Sequence, residues 1–394
     1  MNPGERATTA GAAPSDAGGP GAPDTLPVLR VGRERAIPGT VGLALGGLAG
    51  SNAFGAGVLQ AARDVGARPL IISCTSGQLG WVDEYLRAGE GGPSLREPLR
   101  EMIKQAERTG IRDLDATLLG LLGVPGAVRP ARWQYPRDAI RNYLQAWLAI
   151  ATGWPKVSLV EQSIQIAPGR MLVPDFPDVF YEGMADRFNG SDVAIVFNSY
   201  HPAAELEHVH LNPAALDLYE RRTGRGDDYS PGKESRHRPR TLYQPITARA
   251  IRDGLWLYEY GFDKAPGFLD GAYFRQMMLA ELWPATDIVA VRPLAHAWTG
   301  AELPTSFAAI QDLKNQVFFD GSYAGERGQI TLINTLLASG ELSSASYHHI
   351  VLHEIELQER RGLLDYVFEN EHVFDDGLAQ GKRVFTAFRT PAGG

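Results

Sequence analysis

Read from its apolar positions, the chain predicts ordered structure from near Ile37 onward. Val41 to Leu45 alternate larger apolar residues with small ones, a short strand, and Gly46-Gly47-Leu48-Ala49-Gly50 follow at once. From about Ala53 the spacing of Val58, Leu59, Ala62 and Val65 is that of one helix face, and Gly66 is placed to end it. Residues 69–73 form a second apolar run, after which Leu79, Val82 and Leu86 return to helical spacing. Strand, helix, strand, helix in quick succession predicts an α/β fold whose sheet is mostly parallel and covered by helices.

Residues 88–170 read as mostly helical, an insertion or lid region. Its clearest helix follows Pro136, with Ile140, Tyr143, Leu144, Trp147 and Leu148 on one stripe. The run Leu118-Leu119-Gly120-Leu121-Leu122 is too short to span a bilayer and reads as core helix, with a lipid-facing lid as the alternative. Strands return at Val193 to Phe197 and Ile288 to Val291. Between them, Arg221 to Arg240 hold seven basic residues against three acids, which reads as a solvated loop, with a headgroup-binding patch as the alternative. The last ninety or so residues mix helix with one strand, His349 to Leu357. The expected organisation is therefore a tail over 1–36, a main domain over 37–300 and a mostly helical extension over 301–394.

Composition narrows the classes. A formal net charge of -8 argues against a nucleic-acid partner, since phosphate backbones attract basic surfaces. Cys74, the single cysteine, excludes an internal disulfide framework and a cysteine-cluster zinc site, and fits a reducing cytoplasm. Of the first 26 residues, 15 are Gly, Ala or Pro, so a signal peptide is not expected there and a disordered tail is. No apolar run reaches the length of a transmembrane span, although contact with a membrane surface stays open.

Three local features carry candidate chemistry. The glycine-rich turn after the first strand lets backbone N–H groups face an oxyanion beside a helix N-terminus. It fits neither the dinucleotide fingerprint nor the phosphate loop, where a lysine would be needed in place of Ala56. Ser76, in Ser73-Cys74-Thr75-Ser76-Gly77-Gln78, stands where the second strand must turn sharply into a helix. Asp270-Gly271-Ala272 follows Phe268-Leu269, and its small residues let the chain turn away from the acid.

In order and spacing these segments resemble the patatin-like phospholipases. Gly46 to Ala61 is similar to the glycine-rich opening of that family, Thr75-Ser76-Gly77 to the core of its G-x-S-x-G elbow, and Asp270-Gly271-Ala272 to its D-G-A/G motif. The likeness covers roughly residues 38 to 300. It departs from the family at Leu48, Ser51 and Asn52, and at Cys74 and Gln78, which stand where the elbow has glycines. The resemblance implies a three-layer α/β/α fold with a serine nucleophile elbow. It implies a Ser76–Asp270 dyad that hydrolyses lipid or phospholipid acyl esters through an acyl-enzyme. The oxyanion hole would come from the backbone of Gly46, Gly47, Leu48, Ala49 and Gly77, with no metal and no cofactor.

Three other readings compete. A Ser-His-Asp esterase could draw on His296, His353 or His372, but several strands would then precede the nucleophile. A metal site at His349 and His353 needs helical spacing, whereas that segment reads as a strand, where four residues span about 13 Å. A binding protein retaining the fold is the third. The second D-G pair, Asp320-Gly321, reads as a turn between helices, which favours Asp270 as the base.

Overall fold

The computed structural model describes residues 41–48, 51–89, 91–110, 128–130, 140–141, 143–145, 147–148, 151–152, 172–174, 176–224, 226–235, 238–256, 267–294, 304–305, 307–343, 347–357 and 371–388. The chain divides into units Met1–Arg35 and Ala36–Gly394, and only the second contains described residues. The expected tail and the Leu118 to Leu122 run lie outside them.

The second unit is built on a mostly parallel, mixed sheet. Its strands are β1 (Val41–Leu45), β2 (Ile71–Cys74), β5 (Ala194–His201), β6 (Leu206–Leu211), β7 (Thr241–Pro245), β8 (Leu269–Asp270), β9 (Asp287–Arg292) and β10 (Val351–Glu356). The order across it is β10-β9-β1-β2-β5-β6-β7, with β8 paired to β5. All neighbours are parallel except β5–β6 and β5–β8. A separate antiparallel pair joins β3 (Val128–Pro130) to β4 (Leu172–Pro174). The strand expected at His349 to Leu357 forms over Val351–Glu356 and is an edge of the main sheet.

Alternation along the strands sends side chains to two faces, and each face buries its own apolar cluster. Val41, Leu43 and Leu45 of β1 join the cluster covered by α1 (Asn52–Asp64), α2 (Gln78–Ala88), α4 (Asp178–Asn189), α6 (Ala248–Gly254) and α8 (Glu371–Phe388). Ala44, Ile288 and Val196 join the other, with Leu218 and Tyr219 of α5 (Pro213–Thr223), Met277 to Leu279, and Tyr323 and Ile330 of α7 (Phe307–Ala338). α3 (Arg96–Gly110) packs beside α8. Helix ends follow local chemistry: Asn212 caps α5 by accepting the Ala215 N–H at 3.0 Å, Pro213 opens the helix, and left-handed Gly224 closes it.

Two expectations change. Asp320-Gly321 is not a turn but lies inside the 32-residue α7, where the Asp320 carboxylate pairs with Arg292 at the end of β9. The paired charge and the apolar positions on either side carry the helix through a glycine that costs only about 1 kcal/mol there. The basic stretch after Arg221 is likewise not a bare loop. It completes α5, makes a 3-10 turn at Gly226–Tyr229 with Tyr229 buried, and sends Arg238 to the buried Glu326.

α1 and α8 approach unusually closely because both present small residues. A Cβ on Gly377 would lie 2.1 Å from the Phe54 carbonyl oxygen, and one on Gly57 would lie 2.1 Å from that of Phe374. Gly377→Ala is therefore expected to lower unfolding free energy by about 1–3 kcal/mol in denaturant titration. Gly328→Ala, at an open position of α7, should be neutral or stabilising by up to about 1 kcal/mol.

Candidate active site

The sheet itself brings Ser76 and Asp270 to one place. One edge of β5 is taken by β6, from Val196↔Leu211 to His201↔Leu206. The other is taken by β2 as far as Cys74↔Phe197, and then by β8, with Asp270 opposite Ser199. Ser199 is two residues beyond Phe197. Asp270 thus occupies the sheet position that a straight continuation of β2 would have given to Ser76. Ser76 instead leaves the sheet at φ +56 and starts the turn into α2. Both residues therefore lie at the carboxyl end of β2, among central strands.

Positive φ in a non-glycine residue is uncommon and costs on the order of 1–3 kcal/mol. Ser76 shares it, among the described residues, with Glu205 and Arg240 on exposed loops. At Ser76 the turn is locked from both sides. Gln78 N–H donates to the Thr75 carbonyl at 3.2 Å, and Leu79 N–H to that of Ser76 at 3.0 Å. The Thr75 hydroxyl accepts the Gly47 N–H and donates to the Gln276 carbonyl, each at 2.8 Å. The Gln276 amide returns to the Gly47 carbonyl at 2.9 Å, so the three segments form a closed ring of bonds. Gly47 must lack a side chain, since a Cβ there would sit 2.5 Å from Ser76 Cβ and 2.3 Å from the Thr75 carbonyl oxygen.

The two departures at the turn are accommodated differently. Cys74 is fully buried, and burial pushes its thiol far above the ordinary range, so it stays protonated. The Gln78 side chain runs under the glycine-rich turn toward Gly55 of α1, where a Cβ would meet its amide at 2.4 and 2.5 Å. From there it donates to the carbonyls of Gly46 and Asn52, both at 3.3 Å. The space that a glycine at position 78 would leave open is supplied by a glycine on the facing helix.

Most of the expected oxyanion donors are engaged. Gly46 N–H continues the sheet to the Val291 carbonyl at 3.1 Å, Gly47 N–H goes to Thr75, and Leu48 N–H goes to the Asn52 side chain at 2.8 Å. Gly77 N–H, at the start of α2, has no acceptor among the described residues, and Ala49 lies outside them. Asp270 is buried, its Oδ1 accepting the Ala272 N–H at 2.9 Å across the 3-10 turn Gly271–Tyr273. No hydrogen bond between Ser76 and Asp270 is found among the described residues. The other candidates do not converge here. His353 bonds Asp287 at 2.9 Å on the β10 edge, His372 opens α8, and His296 lies outside the described residues. Among the described residues no group of three or more His, Cys, Asp or Glu is placed to hold a metal ion.

Sequence reasoning missed the charges that hold the Asp270 segment. Arg275, with no exposure, bonds Glu207 at 2.9 Å, both oxygens of Glu281 at 2.8 Å, and Glu326 at 3.3 Å. Glu326 also accepts the N–H groups of Leu279 and Ala280 at 2.9 Å. Burial opposes charge on all of them. The three carboxylates nevertheless hold the Arg275 guanidinium above its usual range, and Arg275 with Arg238 holds Glu326 below its own, while burial leaves Glu281 raised. Asn198, fully buried on β5, ties this cluster to the motif by donating to Glu207 at 2.7 Å and to the Gly271 carbonyl at 3.4 Å. Sequence spacing offers no signal for this cluster, because its members are up to 119 residues apart.

Next to Asp270 in the sheet, Ser199 bonds His210 Nε2 at 2.9 Å, and burial pushes that imidazole down to about 3. No protein-family model matches the chain, and no curated protein matches it.

Two predictions follow from this geometry. Gly55→Ala should destabilise by about 1–3 kcal/mol, and adding Gln78→Gly should recover most of the loss, giving strong coupling in a double-mutant cycle. The second concerns acid. Below the ordinary histidine range the unfolded chain takes up a proton that buried His210 refuses, so stability is full above that range and falls as pH drops toward the folded value. Between about pH 7 and pH 5 this removes about 2 kcal/mol, and His210→Gln should flatten that part of the stability profile.

Proposed function

We propose that this chain is a serine acyl-ester hydrolase of patatin-like architecture, acting on lipid or phospholipid esters. In this reading the sheet and its two covered faces are a three-layer α/β/α fold and the Ser76 turn is a nucleophile elbow. The observation that carries the reading is the register that sets a strained, half-buried serine and a buried aspartate at the end of one central strand. That is where chemistry in parallel α/β sheets is placed.

Ser76 attacks the ester carbonyl while Asp270 accepts its proton, giving an acyl-enzyme. The proton passes to the leaving alcohol, and water then repeats the cycle to release the acid. Hydrogen bonds of this kind are often long before substrate arrives and tighten in the complex. Gly77 N–H, at the N-terminus of α2 and without an acceptor among the described residues, is the donor best placed to hold the oxyanion, with Ala49 as its expected partner. Leu48 N–H could join only by leaving Asn52. The ring through Thr75, Gln276 and Gly47 keeps the loop, the nucleophile and the Asp270 segment in register.

Ser76→Ala is expected to abolish hydrolysis of short-chain nitrophenyl esters and labelling by a fluorophosphonate probe without changing the unfolding midpoint. Asp270→Asn should remove nearly all turnover. Asp320→Asn, which weakens the pair between α7 and Arg292 of β9, should change it by less than roughly tenfold, or about 1.4 kcal/mol in barrier. Parent-level turnover in Ser76→Ala, or the reverse ranking of the two aspartate variants, sinks the assignment.

A further inference from the structure

We propose that the exposed stripe Ile140, Tyr143, Leu144, Trp147 and Leu148 is a docking surface for an anionic lipid bilayer. This rests on the lipid-ester reading above. The described residues between 140 and 152 are helical, and the Thr152 hydroxyl donates to the Leu148 carbonyl one turn back at 2.8 Å. The five apolar residues recur at helical spacing, so they share one face. A helix of a globular domain normally turns such a face to the core. Here every one of the five is half or more exposed, Leu148 by 65% and Trp147 by 55%. Tyr143 and Trp147 meet edge to face with ring centroids 6.2 Å apart, forming one aromatic patch rather than scattered residues.

Charge and aromatic content decide what covers it. The chain carries -8 overall, yet residues 129–156 hold Arg129, Arg132, Arg137, Arg141 and Lys156 against the single acid Asp138. The same stretch contains three of the seven tryptophans, at 133, 147 and 154. An apolar helix face with Trp and Tyr, set in a basic segment of an otherwise acidic chain, matches a bilayer boundary. The aliphatic side chains enter the acyl region and the amphipathic rings sit at headgroup level, and the net positive charge of this stretch of sequence favours anionic lipid. An ester hydrolase whose substrate stays in the bilayer needs such a surface.

The test uses the full chain carrying Ser76→Ala, so that vesicles are not consumed. It is sedimented with vesicles of phosphatidylcholine alone and of phosphatidylcholine mixed with phosphatidylglycerol. The expected result is binding to the mixed vesicles that weakens as salt is added. Leu144→Ser with Trp147→Ser should lower the bound fraction about tenfold or more at an unchanged unfolding midpoint. Equal binding by the double variant, no binding to either vesicle, or equal binding to both overturns the proposal. So does a dimer in light scattering that the double variant dissociates, which would assign the stripe to a second copy. Hydrolysis of a soluble short-chain ester by the parent is measured separately. Its absence with vesicle binding retained counts against the esterase reading and not against the surface.

Discussion

The buried guanidinium of Arg275 is the point from which the site is suspended. It lies in the segment after Asp270-Gly271-Ala272 and meets carboxylates from β6, from the 3-10 turn at Ala280–Leu282 and from α7. Three parts of the chain remote in sequence therefore share one desolvated charge. Taking such groups from water is costly, and the cluster is sustained only because nearly every oxygen and nitrogen has a partner. Removing one member of such a cluster would leave an uncompensated charge worth about 3–5 kcal/mol, against a total stability of about 5–15. The cluster is better understood as fixing where the Asp270 turn sits than as a source of net stability. Asn198 transmits that fixing, because its amide touches both Glu207 and the Gly271 carbonyl.

Much of this architecture was legible in the sequence for a simple reason: local periodicity reports local structure. β1 matched its expected residues, and α1, α2, β9 and β10 fell within a residue or two of theirs. The motifs single out Ser76 and Asp270, and the sheet register sets both at the end of β2. What could not be read was anything decided by distant partners. The Asp320 segment looked like a turn because a D-G pair is a turn signal, whereas Arg292 and the packing of α7 override it. The stripe at 140–148 has core-like spacing and nonetheless faces outward, since spacing tells which residues share a face but not where that face points.

The glycine positions show the same division. Gln78 looks crowded when the turn is considered alone, and the relief comes from Gly55, which only the fold brings opposite it. Thr75 likewise looks like a spacer in the sequence, yet its hydroxyl links the loop before α1 to the segment after Asp270. The side chains flanking Ser76 are thus as constrained as Ser76 itself, and motif matching does not report it.

The close seating of α1 against α8 bears on how the protein is made. α1 ends at Asp64, whereas the helix that covers its glycine face begins at Glu371. β1 waits similarly for β9, which supplies one of its two neighbours. A ribosome adding about 5–20 residues each second needs tens of seconds to bridge that interval. For that time an apolar helix with a bare, small-residue groove must persist beside an incomplete sheet. Such long-range closure slows folding and leaves strand edges open to other chains. The groove of α1 and one edge of β1 thus stay uncovered on the nascent chain until distant segments arrive to close them.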